Sequence, residues 1–196
     1  MVIALNFRAT ASYVTDGPLE TYVLADSYPT TRGGYTFGYT GWLPQSQTDR
    51  STSIDRRLAG RHNISTKQSA VERIFRIDVD PGIYAITLAA GDFIGTIDIV
   101  EGLLLRDSTG TILAPSFTQF AAPGWVDATG NVRSAAAWPL SQTPVTIAIT
   151  GTYLELYDNG SYSADMVNGR RVISHLRLDP ISPTGSRRRR SAGVPL

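Results

Sequence analysis

The chain has no cysteine, a single lysine and only two histidines in 196 residues. Without a thiol there can be no disulfide, no thiolate metal site and no cysteine nucleophile. No apolar run approaches the roughly 18–20 residues that a membrane span requires. The start, Met1 to Arg8, lacks the basic flank and long apolar stretch of an export signal, so synthesis in the cytoplasm is expected. Neither Gly-x-Ser-x-Gly nor His-Glu-x-x-His occurs. The imidazoles of His62 and His175 are thus the only histidine bases on offer. Strand alternation sets His175 opposite Leu176 and Leu178, at a surface or rim, and His62 falls in a polar stretch where a solvated loop residue is expected. Asp92, Asp98 and Glu101 are hard oxygen donors, but their spacing matches no dedicated calcium loop. No enzyme, cofactor or metal site is expected.

What is present is ordinary globular material: 42% apolar and 18% charged residues, which argues against wholesale disorder. Eighteen glycines and eleven prolines, with abundant Thr, Val, Ile and Tyr, favour short strands and turns over helices. The net charge of +1 hides an asymmetry, because four arginines stand together at Arg187, Arg188, Arg189 and Arg190. The other arginines greatly outnumber the one lysine, which carries no functional weight.

Alternation predicts strands at 2–7, 20–25, 35–42, 71–79, 83–90, 96–105, 144–150, 153–157 and 171–178, with shorter ones near 112–117 and 125–126. Asp80-Pro81-Gly82 is a turn signal, since Pro81 presets φ and Gly82 accepts a positive one. It reads as joining its flanking strands in a hairpin, and Gly151-Thr152 reads as a second hairpin. Residues 44–70 look like a long polar excursion. No capped helix of 3.6 period and no internal repeat is visible. The expected fold is all-β: a two-sheet antiparallel β-sandwich of jelly-roll type over 1–180, followed by a basic, Pro-containing tail over 181–196.

Several segments together resemble a known family. They are Leu5-Asn6-Phe7, Tyr39-Thr40-Gly41-Trp42, Ile54-Asp55-Arg56-Arg57, Phe75 to Asp92, Asp98 to Gly102, and the late Val145, Tyr153 and Val172 ladders. They are similar to the galactose-binding-like, malectin-like β-sandwich that precedes the catalytic domain of rhamnogalacturonan acetylesterase-type hydrolases. Asn6 and Arg8 stand where that family usually has Asp and Gly. The resemblance implies a galactose-binding-like sandwich, here without a catalytic partner.

Two functional expectations follow. The first is a structural role, as a decoration or cement protein of a bacteriophage-type virion, reached without an export signal. There Arg187 to Arg190, with Arg56, Arg57 and Arg61 in the polar excursion, would contact neighbouring subunits of a capsid or tail, in a homo-oligomer. Nucleic acid is the less favoured partner for these arginines, and a membrane is not expected. The second is carbohydrate binding on an aromatic platform built from Tyr39, Trp42 and Trp125, with Trp138 further along. Against it stands the simpler placement of Tyr39 and Trp42 as core or rim aromatics. Asn63-Ile64-Ser65 and Asn159-Gly160-Ser161 match glycosylation acceptors by coincidence.

Overall fold

A computed structural model describes residues 1–14, 20–44, 46–49, 56–66, 73–91, 103–111, 113, 125–134, 143–158 and 170–182. Among the described residues, fourteen strands form two facing sheets, so the two-layer all-β expectation holds at that level. The strands are β1 (Ile3–Phe7), β2 (Thr21–Val23), β3 (Thr30–Arg32), β4 (Tyr35–Gly41), β5 (Ser46–Asp49), β6 (Gly60–Thr66) and β7 (Arg73–Asp78). They continue with β8 (Gly82–Ala90), β9 (Leu103–Asp107), β10 (Trp125–Val126), β11 (Val132–Arg133), β12 (Val145–Ile149), β13 (Tyr153–Asp158) and β14 (Arg170–Pro180).

The smaller sheet runs β3-β4-β7-β13-β9. In the larger one β8 and β14 lie side by side. β14 is flanked by β6 along its first half and β1 along its second, and β8 is flanked by β10 and β12. Pairing is antiparallel except for β1 with β2. Period-2 alternation sends Ile3, Leu5, Phe7, Ile86, Leu88, Leu176 and Leu178 inward from the larger sheet. Phe37, Tyr39, Phe75, Ile77, Leu154 and Leu156 meet them from the smaller one. Each such side chain contributes roughly 1.5–3 kcal/mol by leaving water.

Two expected hairpins are corners instead. Asp80-Pro81-Gly82 carries the chain from β7 in the smaller sheet to β8 in the larger, and Thr150-Gly151-Thr152 carries it from β12 back to β13. A turn signal fixes a reversal of direction but not whether the next strand pairs or crosses to the facing sheet. The corners lie side by side, joined by Val79 N–H donating to Thr152 O at 3.1 Å.

The polar excursion is also corrected, because it contains β5, a 3-10 turn at Arg56–Leu58, and β6, which pairs with β14. Only Ile64 on β6 is a large aliphatic residue. The inward place that would have continued the apolar alternation is held by His62, which packs against the Phe7 and Tyr39 rings.

One short motif does recur. Asp107-Ser108-Thr109-Gly110-Thr111 and Asp127-Ala128-Thr129-Gly130-Asn131 make the same hairpin turn. In each, the aspartate Oδ1 accepts from the backbone N–H two and four residues on and from the threonine hydroxyl. The glycine takes φ of +83° and +82°, a left-handed conformation that only glycine adopts freely.

Candidate functional site

The anticipated aromatic platform does not assemble. Tyr39 is 1% exposed in the core between the sheets, and its Oη pairs with His62 Nδ1 at 2.9 Å. Trp125 is buried on the outer side of the larger sheet against Leu58 and Ala89, and its Nε1–H donates to Ser134 O at 3.0 Å. Trp42 is 64% exposed, beyond the end of β4, beside exposed Leu43. Trp138 lies outside the described residues, as do Asp92, Asp98, Glu101 and Arg187 to Arg190.

Both histidines are interior, against expectation. His175 does stand on the face opposite Leu176 and Leu178, beside Ala89 and Asn6, but that outer face is covered there and its Nε2 lies 3.0 Å from the buried Glu20 Oε1. His62 is held by two partners. Arg8 O can only accept, so Nε2 carries the hydrogen (2.8 Å) and Nδ1 accepts from the Tyr39 hydroxyl. Burial pushes His62 down to about 4, against the opposing pull of the Arg8 carbonyl and the Asp26 and Asp49 charges. Neither ring is placed as an exposed base.

The arginine loop is likewise not a free arm. Arg61 is buried within β6, and Arg56 and Arg57 are half-buried in the 3-10 turn. That turn is tied down through its backbone: Arg56 O accepts from Arg8 Nη1 (3.0 Å) and Arg57 O accepts from Asn6 Nδ2 (2.7 Å).

What the fold does build is a pocket of about 420 Å³ where the two corners meet the start of β4. Tyr28, Tyr35, Tyr84 and Tyr153 line it with Ile3, Pro81, Thr152, Asp78 and Asp80. Tyr84 is anchored in the core wall, its hydroxyl donating to Asp80 O at 2.7 Å. The half-buried Tyr35 donates to Val2 O at 2.7 Å, and Tyr28 donates to Asp78 Oδ1 at 2.9 Å. That bond to Asp78 is the first cause that raises the Tyr28 phenol, so it stays protonated. Asp78 and Asp80 are both exposed at the mouth.

Behind the mouth, the outer face of the smaller sheet carries an alternating stack. The Arg76 guanidinium lies 3.9 Å from the centre of the Tyr153 ring and 5.3 Å from that of Tyr28. Its Nη2 and Nε donate to Glu155 Oε1 at 2.6 and 3.0 Å. Arg106 Nε donates to Glu155 Oε2 at 2.8 Å and lies 4.1 Å over Tyr157. Cation–π contact and ion pairing therefore immobilise Tyr153 and Tyr28 as walls.

None of the pocket's tyrosines was singled out in the sequence. The available signal was Asp78-Val79-Asp80-Pro81, two carboxylates flanking a turn, and its meaning depended on the corner that was read as a hairpin.

No family model matches the chain, and no curated protein matches its sequence. Among solved structures it resembles protein YxiM of Bacillus subtilis, with 14% identity and a TM-score of 0.51 over 93% of this chain. It also resembles the plant receptor-like kinase FER, with 11% identity and a TM-score of 0.48 over 93% of this chain. The chain spans 40% of the first structure and 43% of the second. At such identity the likeness to YxiM speaks for a shared fold alone.

Proposed function

We propose that this chain is a non-catalytic binding domain, a galactose-binding-like sandwich of jelly-roll type, that holds a carbohydrate in the tyrosine-lined pocket at its corner end. The observation that carries this reading is the pocket itself. Three half-buried tyrosines are fixed around about 420 Å³, a volume suited to one or two sugar rings, with two carboxylates at the mouth to accept from hydroxyls. A glycan array on the full chain, followed by calorimetry on the best ligand, tests it. Tyr153→Ala should lower affinity at least tenfold, whereas Trp42→Ala should leave it unchanged. Equal loss from both substitutions, or from neither, would remove the pocket from the reading.

A second reading, attachment to a large particle such as a virion, is favoured by one bare surface. Ala148, Ile83 and Ile181 form an exposed row across β12, β8 and the end of β14, and Val2 is exposed beyond it. Apolar residues aligned this way suit a protein interface. Under this reading the full chain co-sediments with particles in a lysate of the producing cells, and Ile83→Asp with Ile181→Asp releases it. Free sedimentation of the unaltered chain would count against it.

A further inference from the structure

We propose that the pocket selects a cationic sugar, one bearing a protonated amine, over neutral or acidic ones. This deepens the carbohydrate reading and rests on it. The charged side chains lining the pocket are Asp78 and Asp80, both acidic, and among its lining residues only Met1, through the α-amino group, brings a positive charge. The nearby Arg76 donates to Glu155, which it shares with Arg106, and its guanidinium lies against the Tyr153 and Tyr28 rings without being one of the residues that line the pocket.

The two carboxylates are also underused. Asp78 accepts one hydrogen bond, from Tyr28, and Asp80 accepts none at its carboxylate among the described residues. Acceptors with open lone pairs at a pocket mouth call for a donor-rich ligand, and an ammonium supplies three donors and a full charge. The tyrosine walls supply faces that stack on a pyranose, with Arg76 already against the Tyr153 and Tyr28 rings from behind the mouth. Two carboxylates fall short of the about six to eight oxygens that a calcium ion gathers. A uronic acid would bring its own carboxylate against these two, and like charges in a partly enclosed site repel.

The test is calorimetry on the full chain at about pH 6, where the amine of the glucosamine probe carries its proton. The probes are a glucosamine oligosaccharide, its N-acetylated form, a glucose oligomer of equal length and a lysine-rich peptide. The expected result is about tenfold tighter binding of the glucosamine oligomer than of the acetylated or neutral ones, a gap that narrows in high salt. Asp80→Asn and Asp78→Asn, both at exposed positions, should narrow that gap by weakening the charged oligomer more than the neutral ones. Equal affinity for the charged and neutral oligomers overturns the charge preference and leaves the carbohydrate reading intact. Binding of the peptide but of no sugar, or of nothing, overturns both.

Discussion

Tyr39 and His62 face each other across the sandwich, one from each sheet, and share a 2.9 Å hydrogen bond in the core. Because Arg8 O claims the Nε2 hydrogen, Nδ1 has a single donor available, and that donor is Tyr39. Tyr39→Phe removes it while keeping the ring in contact with Phe75. Leaving a buried acceptor unpaired costs about 1–3 kcal/mol, and urea unfolding should read a loss in that range. Unchanged stability would mean that the imidazole finds another donor.

The same histidine sets an acid limit. Its folded value near 4 lies below the ordinary 6.5, so between these the unfolded chain binds the proton and the folded one does not. Stability is therefore full above about pH 6.5 and falls as pH drops towards 4, by roughly 3 kcal/mol in all. An NMR titration should find the His62 ring neutral at about pH 5. A midpoint near 6.5 would contradict its enclosure.

The twin aspartate turns should not be equal in stability. Asp107 Oδ2 reaches out of its own turn to Thr150 N and Oγ1 and Gly151 N, fastening β9 to the β12–β13 corner. Asp127 Oδ2 instead accepts from Arg133 within its own hairpin. The donors, Thr109 first, hold the Asp107 carboxyl well below the usual range despite burial. Asp107→Ala is expected to cost on the order of 3 kcal/mol and Asp127→Ala about half of that. Equal losses in thermal unfolding would refute a cross-linking role for Asp107.

Gly38 is expected to be intolerant of any side chain. Its φ is +144°, and a Cβ there would stand 2.5–2.8 Å from the backbone of Ser27 and Tyr28. Those residues bond over β4, with Tyr39 N–H donating to Asp26 O and Tyr28 N–H to Tyr39 O. Gly38→Ala should cost about 3 kcal/mol and also displace Tyr28, lowering ligand affinity. Normal affinity in a destabilised Gly38→Ala variant would separate the segment from the pocket.

Strands with clean alternation were legible in the sequence: β1, β4, β7, β8, β12 and β13 all lie within a residue or two of the expected spans. β6 was not, because a histidine occupies an inward place and its pairing with a distant tyrosine leaves no local trace. The corners were read as hairpins for a related reason, since both begin with the same turn chemistry. Candidate site residues fared worse. Tryptophan and tyrosine were picked as large aromatics, yet Tyr39 is in the core and Trp125 is under a 3-10 turn, and residue type alone cannot report depth. The pocket draws on residues 3, 28, 35, 78–81, 84 and 153, separations that only the sheet crossings bring together.

β14 is the last strand among the described residues, and it is also the central one, paired with β8, β6 and β1 at once. On a ribosome, β1 would meet β2 early but wait for its antiparallel partner some 170 positions downstream, as Ile3 meets Leu178. Such remote pairings make folding slow and leave strand edges open during synthesis. A chain shortened before residue 170 would lack the strand that joins both halves of the larger sheet, and should be recovered as aggregate instead of a smaller domain.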